Sequence, residues 1–358
     1  MDELIVSNEQ HNDQQLQKDV HCKFVCTANH GFAPYAQEEL RRRFGSLKSS
    51  VLIPGEVFVT TLQEDMGEAT ERITTRPLIF LRHLFPVHLE VPSEDADEAL
   101  RVIEQHLSQQ AYLEQTQVSI QVRKTEGSSW TANPAALRDE IQQRLASLEL
   151  GYSVQDPEWI ISLFAADKVW YVGVSRPADN LSDWNGGAIR FQREEGQISR
   201  AKFKLLEAEQ QFGIAFEGFR NAVDIGAAPG GWTSFLLERG MRVTAIDPAK
   251  MHPSLQDHRN LRVISKNAGE VKFREHEFDL LVCDMSWSPK QMAKLVTGLL
   301  HCLQMGGTAV VTVKLLTKKP MALIDEMMLV FEAARMQIQG AKQLFHNRDE
   351  ITLYMIKY

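Results

Sequence analysis

Asp284 stands directly behind the apolar run Phe278–Cys283, and Lys314 directly behind the apolar run Thr308–Val313. If both runs are strands of one parallel sheet, a carboxylate and an ammonium emerge at carboxyl ends about 4.8 Å apart, within reach of one substrate atom. Lys204, on a helix ahead of a glycine-rich turn, and Glu350, opening the last strand, complete a set of two lysines and two acids. The turn itself lies in Val223-Asp224-Ile225-Gly226-Ala227-Ala228-Pro229-Gly230-Gly231-Trp232. A strand that ends in such a turn and opens a helix lets backbone approach a ligand closely at the carboxyl edge of the sheet. No Gly-Lys-Ser/Thr follows and the spacing is not Gly-x-Gly-x-x-Gly, so phosphate cradling loses its main support. Asp247 follows the next strand, 21 residues after Gly226, where a carboxylate can accept hydrogen bonds from both ribose hydroxyls of an adenosine. An adenosine cofactor without a phosphate grip points to S-adenosylmethionine.

These residues need a doubly wound sheet to hold them, and the second part of the chain has its pattern. A helix over Arg200–Phe212 leads to strand Ala222–Ile225, the turn, helix Trp232–Glu238 and strand Val243–Ile246. Apolar strands recur at Phe278–Cys283 and Thr308–Val313 with helical stretches between, the alternation of an α/β fold. The last two strands, Met336–Leu344 and Glu350–Ile356, are close enough in sequence to pair antiparallel. Before them the period differs. KFVCTAN reads as a strand and APYAQEELRRRF as a helix; strands are expected at Val51–Leu62 and Pro77–Val91 and a helix at Ala96–Gln109. QVSIQVR alternates with period two, Asn133-Pro134 reads as an N-cap with proline in the first turn, and Trp159–Phe164 with Val169–Val174 reads as a hairpin. The expected organisation is a disordered tail over 1–19, an α+β region over 20–176, an irregular linker over 177–197 and an α/β domain over 198–358.

The 358 residues are 44% hydrophobic and 24% charged, enough apolar surface for real cores. No apolar stretch approaches the roughly 18 residues that cross a bilayer. Four scattered cysteines make no disulfide framework and the polar start has no signal-peptide core, so a reducing cytoplasm is expected. Cys22, Cys26, His21 and His30 lack the paired Cys-x-x-Cys spacing of a zinc module, and no metal is expected. The net charge of -8 is uneven: residues 1–200 hold thirty acidic and nineteen basic side chains, residues 201–358 seventeen and twenty. A mildly basic second half is compatible with a polyanionic substrate. Arg190, Arg193, Arg200 and Lys202, interleaved with Phe191 and Phe203, could grip RNA by phosphate contact and stacking.

SRAKFKL, DIGAAPGGW, CDM with Pro289 beyond it, VTVKLL and RDEITLYMI together resemble the FtsJ-type ribose 2′-O-methyltransferases, and among them the RlmM family, which methylates a cytidine ribose of 23S rRNA. The resemblance is strong over 198–358. Before that, GFAPYAQEEL and the α+β pattern resemble the THUMP-containing RNA-binding portion of such enzymes. It implies a Rossmann-like class I methyltransferase domain behind a THUMP-like domain. It also implies S-adenosyl-L-methionine as cofactor and a Lys-Asp-Lys-Glu tetrad at Lys204, Asp284, Lys314 and Glu350. A ribose hydroxyl is a poor nucleophile, so one group must take its proton while the oxygen is held in line. Lys314 is assigned that role, with Lys204 stabilising the developing alkoxide and Asp284 and Glu350 orienting the ammonium groups. Burial and a second cation lower a lysine pKa while carboxylates raise it, which leaves the net direction open. The cofactor set is Gly226, Pro229, Gly230, Gly231 and Trp232 around the methionine part, Asp247 at the ribose, with Asp284 and Asn267. Asn267 replaces the Asp that the family tends to place near adenine. Another RNA such as tRNA, a small molecule, or a non-catalytic RNA-binding role are the competing functions, and no oligomeric state is implied.

Overall fold

A computed structural model of the protein describes residues 21–193, 195–315, 317 and 319–358. The tail assigned to 1–19 lies outside the described residues. Three sheets follow one another along the chain. The first has the order β2-β3-β1-β4 and is built from β1 (Cys22–Thr27), β2 (Lys48–Ile53), β3 (Val57–Leu62) and β4 (His83–Pro86). The second has the order β5-β9-β8-β6-β7, from β5 (Leu89–Pro92), β6 (Gln117–Lys124), β7 (Gly151–Tyr152), β8 (Trp159–Ala165) and β9 (Val169–Ser175).

Local chemistry explains most of the elements in this region. Helix α1 (Ala33–Phe44) carries Pro34 in its first turn and three arginines in its last, where the negative end of the helix dipole favours them. The expected run Val51–Leu62 is split, because Pro54-Gly55 turns the chain into a β2–β3 hairpin with Gly55 at φ +73°. Helix α2 (Met66–Thr75) escapes a periodicity reading, since its Gly and Thr residues are weak helix formers; Asp65 starts it by accepting from the Gly67 and Glu68 amides. Pro77–Val91 is not one strand either. Glu39, buried on α1, accepts the Ile79 and Phe80 amides at 2.8 Å each, which keeps that stretch out of the sheet until β4. Helix α3 (Ala96–Ser108) and helix α4 (Pro134–Arg144) start on Asp95 and Asn133 caps.

The third sheet has seven strands: β10 (Asn221–Ile225), β11 (Arg242–Ile246), β12 (Leu261–Ile264), β13 (Phe278–Cys283), β14 (Leu303–Lys314), β15 (Met336–Lys342) and β16 (Glu350–Lys357). Their order is β12-β11-β10-β13-β14-β16-β15, with β12 to β14 parallel through the sheet and β16 antiparallel to both of its neighbours. Helices α5 (Lys202–Phe212), α6 (Gly231–Glu238), α7 (Pro289–Leu299) and α8 (Pro320–Ala333) cover it. This is a doubly wound, Rossmann-like sheet whose strand order reverses between β10 and β13, the place where such sheets bind ligands.

The first sheet shares its larger core with the seven-stranded sheet and a smaller one, in which Val25, Val57, Val59 and Phe85 pack on Phe164 and Tyr171, with the second. One hydrophobic cluster takes in Phe24, Leu40, Phe58 and Leu81 together with Leu281, Phe331 and Leu353 of the seven-stranded sheet and its helices, whereas the second sheet encloses a separate cluster around Leu100, Ile120, Leu137 and Trp170. Lys342 of β15 is the polar rivet of the shared core. The residue is 3% exposed, and its ammonium donates to the Leu78 carbonyl at 2.8 Å and the Leu81 carbonyl at 2.6 Å. Replacing it, as in Lys342→Met, strands two carbonyls and removes the cation facing Glu39. A buried group left unpaired costs about 1–3 kcal/mol, so the midpoint of denaturant unfolding should fall by an amount equivalent to about 3 kcal/mol.

Candidate active site

The glycine-rich turn leaves β10 with Gly226 at φ +76°, and the Gly226 and Ala227 amides both donate to the Ile246 carbonyl at 2.9 and 3.2 Å. A Cβ at Gly226 would stand 2.3 Å from Met285 Cγ, one at Gly230 2.3 Å from Leu255 Cδ1 and one at Gly231 2.2 Å from Ser199 Oγ. On their Cβ sides the last two glycines therefore admit close packing of neighbouring protein. Trp232 is likewise internal: it is 3% exposed and its indole donates to the Ala201 carbonyl at 2.8 Å, which fixes the start of α5 against α6. Pro229, Gly230, Gly231 and Trp232 thus shape the turn but do not line the cleft beside it.

That cleft, of about 250 Å³, opens at the reversal of strand order and is lined by Gly226, Asp247, Asn267 and Asp284 together with Met285 and Trp287. Asp247 also braces the turn, accepting the Ala228 amide at 3.1 Å and the Ala249 amide at 2.7 Å. Asn267 is exposed and donates to Glu270 at 3.2 Å. Among the described residues the lining includes two carboxylates and no lysine or arginine. Met285 and Trp287 were not singled out by sequence; their signal is position, directly after the strand-terminal Asp284.

Strand register brings the four charged residues together. Lys314 pairs with Glu350 across β14 and β16, and β13 delivers Asp284 beside β14. The Lys204 ammonium lies 2.8 Å from Asp284 Oδ2 and 2.6 Å from Glu350 Oε1. The Lys314 ammonium lies 3.2 Å from Asp284 Oδ1 and contacts Glu350 Oε2. The result is a closed ring of alternating charge, its side chains between 5% and 16% exposed. A second tier, absent from the sequence reading, holds it: Thr312 Oγ1 donates to Asp284 Oδ1 at 2.8 Å, and Asn347 Nδ2 donates to Glu350 Oε1 at 3.3 Å.

The ring decides its own protonation. Burial works against a charged Asp284, but Lys204 and Lys314 outweigh it and hold the carboxyl below the ordinary range. Burial also disfavours the Lys314 ammonium, yet Asp284 and Glu350 prevail and hold it above the ordinary lysine value. At rest, then, Lys314 carries its proton. Behind the turn, burial pushes Asp224 up to about 7 against a hydrogen bond from Thr233.

The arginine and aromatic set divides. Lys202 is 4% exposed and paired with Glu238 at 2.7 Å, so it is a structural ion pair and not an RNA contact. Phe191 and Phe203 pack on each other at 5.6 Å and on His346 at 5.4 and 5.3 Å, and His346 is held by Glu207. They fasten the connector to the loop before β16 and are committed to that contact. Arg190, Arg193 and Arg200 are exposed.

A family model described as FtsJ-like methyltransferase matches residues 197–344, from just ahead of α5 through β15. A protein of Laribacter hongkongensis named Ribosomal RNA large subunit methyltransferase M is 30% identical over 357 residues, covering 93% of this chain and 96% of its own. The chain belongs to the RlmM family. Family members from Pseudomonas savastanoi pv. phaseolicola and Psychromonas ingrahamii, carrying the same name, are 33% and 37% identical over 232 and 207 residues. Those two matches cover 60% and 54% of this chain and only 63% and 55% of the relatives' own length. Glu350 lies beyond the span of the FtsJ-like model, so the charged ring is completed by a strand outside that match.

Proposed function

We propose that the protein transfers a methyl group from S-adenosyl-L-methionine to a ribose 2′-hydroxyl of RNA, in 23S rRNA of the cytoplasm. The observation that carries this reading is the closed ring of Lys204, Asp284, Lys314 and Glu350 with Asp284 shared between the ring and the cleft. The cleft's own donor set fits the cofactor: two carboxylates and, among the described residues, no cation suit a sulfonium-bearing adenosyl group and not a phosphate-bearing nucleotide. Asp247 would take the ribose hydroxyls, Asn267 the adenine edge, and Gly226 and Asp284 the remainder. When bound, that group supplies an electrophilic methyl. The protein's task is then to orient the hydroxyl and hold its proton.

Lys314 is the proposed base, Lys204 the fixed positive charge beside the developing alkoxide, and Asp284 and Glu350 the groups that aim both ammoniums. Regions 20–176 and 177–197 are the proposed RNA-presenting, THUMP-like part and its linker, and 198–358 the transferase domain. Because Asp284 and Glu350 stabilise the protonated lysine, the active neutral form is scarce at neutral pH and grows as pH rises. The single-turnover rate is expected to climb about tenfold per pH unit from 6 to 9 without levelling, since lysine ordinarily titrates near ~10.4 and this one higher. A plateau below pH 8 would assign the proton to another group. The reading itself is tested by transfer of labelled methyl from S-adenosyl-L-methionine to rRNA, with mass-spectrometric mapping of the product. A 2′-O-methylated nucleotide in 23S rRNA is expected, and a base-methylated product or a tRNA target would overturn it.

A further inference from the structure

A second cleft, of about 980 Å³, lies where the first sheet, the second sheet, the connector and the loop before β16 meet. Among the described residues five arginines line it against two carboxylates, Glu56 and Asp349, a local excess of positive charge in a chain of net charge -8. On its floor two guanidiniums share one acid: Arg123 lies 2.9 Å and Arg82 3.6 Å from Glu56 Oε1. His83 beside them is buried and, through that burial and the two arginines, is pulled down to about 3, so it adds no charge of its own. Arg190 and Arg348 are exposed on the rim. Phe345, with the Arg82 guanidinium 5.1 Å from its ring centre, offers a partly open aromatic surface.

The wall of this cleft is tied to the charged ring. Arg82 Nη1 donates to Asn29 Oδ1 at 2.6 Å, and Asn29 Nδ2 donates to the Leu344 carbonyl at 2.8 Å and the Asn347 carbonyl at 3.2 Å. Asn347, itself a lining residue, donates to Glu350. A chain of polyanion held here would lie directly beside the proposed site of methyl transfer. The volume is in the range of about 300–1,000 Å³ that encloses a compact ligand, room for a few nucleotides and not for a duplex. Excess guanidinium with an accessible aromatic face is the combination that binds single strands, by phosphate contact and base stacking.

We propose that this cleft holds a short single-stranded segment of the substrate RNA flanking the methylated nucleotide, with phosphates on Arg82, Arg123, Arg190 and Arg348 and an unstacked base on Phe345. The assignment rests on the RNA-methylation reading but is tested without it. Fluorescence anisotropy of a labelled 12-nucleotide single-stranded RNA and of the corresponding duplex is measured on the full chain across a salt series. The Arg190→Glu/Arg348→Glu double variant, altered only at exposed positions, is expected to bind the single strand at least about tenfold more weakly. Two lost phosphate contacts should flatten its log-affinity against log-salt slope by about 1.4, while affinity for S-adenosyl-L-methionine is unchanged by calorimetry. A Lys272→Glu/Lys294→Glu double variant, also exposed but outside the cleft, makes the same charge change and should keep at least half of the wild-type affinity. The proposal is overturned if the wild-type chain prefers the duplex or fails to bind the strand. Equal losses in the two double variants, or an unchanged slope in the first, also overturn it. If cleft variants lose the strand in a chain that transfers no methyl, the cleft stands and the reaction falls; if methyl transfer is robust and the cleft variants bind normally, the reverse holds.

Discussion

Lys314→Ala is expected to slow methyl transfer about a thousandfold under single-turnover conditions while S-adenosyl-L-methionine binds within about threefold of wild type. The figure follows from general-base contributions of roughly 10²–10⁴. Lys314 reaches Asp284 and Glu350 but is not among the residues lining the cofactor cleft, so its loss should spare binding. The fold should tolerate the change, because Lys204 still bridges the two carboxylates at 2.8 and 2.6 Å. Rapid-quench transfer of labelled methyl gives the rate, and calorimetry the affinity. A rate within tenfold of wild type would remove Lys314 from the role of base.

Asp284→Ala should be more damaging and in a different way, since this one carboxylate serves both ring and cleft. Both lysines and the Thr312 hydroxyl lose their shared acceptor, leaving two buried ammoniums on Glu350 alone. Breaking a buried pair costs about 3–5 kcal/mol, and with 14% of the side chain exposed the lower end is expected. Methyl transfer should fall by at least about a thousandfold, and cofactor affinity should fall with it. The stability loss has a pH signature with a definite sign. Asp284 is held below the ordinary carboxylate value, so its contribution is present above that unfolded value, near ~3.9, and disappears as pH drops through the folded one. Unfolding free energies of wild type and variant should therefore differ fully at pH 6 and converge in strong acid. A constant difference down to pH 2, or cofactor binding unchanged at pH 7, would contradict the double role.

The α/β part is largely legible in the sequence because its central strands, such as Asn221–Ile225 and Phe278–Cys283, are buried on both faces and read as short apolar runs. Phe278–Cys283 falls where it was expected, and β14 was found although it starts earlier, at Leu303, beyond the pair Gly306-Gly307 that interrupts the run. Strand β12, Leu-Arg-Val-Ile at the sheet edge, was missed since it is partly exposed and only four residues long. The ring was legible because strand ends name their own neighbours once the sheet order is granted. What sequence spacing cannot carry is tertiary competition. Trp232 follows the glycines as a cofactor contact would, yet the Ala201 carbonyl claims its indole. Lys202 stands among arginines and aromatics, yet Glu238 claims it. The second tier of Thr312 and Asn347 consists of ordinary polar residues whose importance exists only in three dimensions.

The common core of the first sheet and the seven-stranded sheet bears on how this architecture can be dissected. Cutting the gene ahead of α5 to obtain a minimal catalytic fragment would peel Phe24, Leu40 and Phe58 from the partners they bury and leave Lys342 with no carbonyls to cap. Such a fragment would carry a raw greasy scar and should precipitate or self-associate. The middle segment, residues 89–175, has a core of its own around Leu100, Ile120 and Leu137, but its Phe164 and Tyr171 also pack on Val25, Val57 and Phe85 of the first sheet, so an exchanged segment would have to bring a matching apolar face or leave a second scar of the same kind.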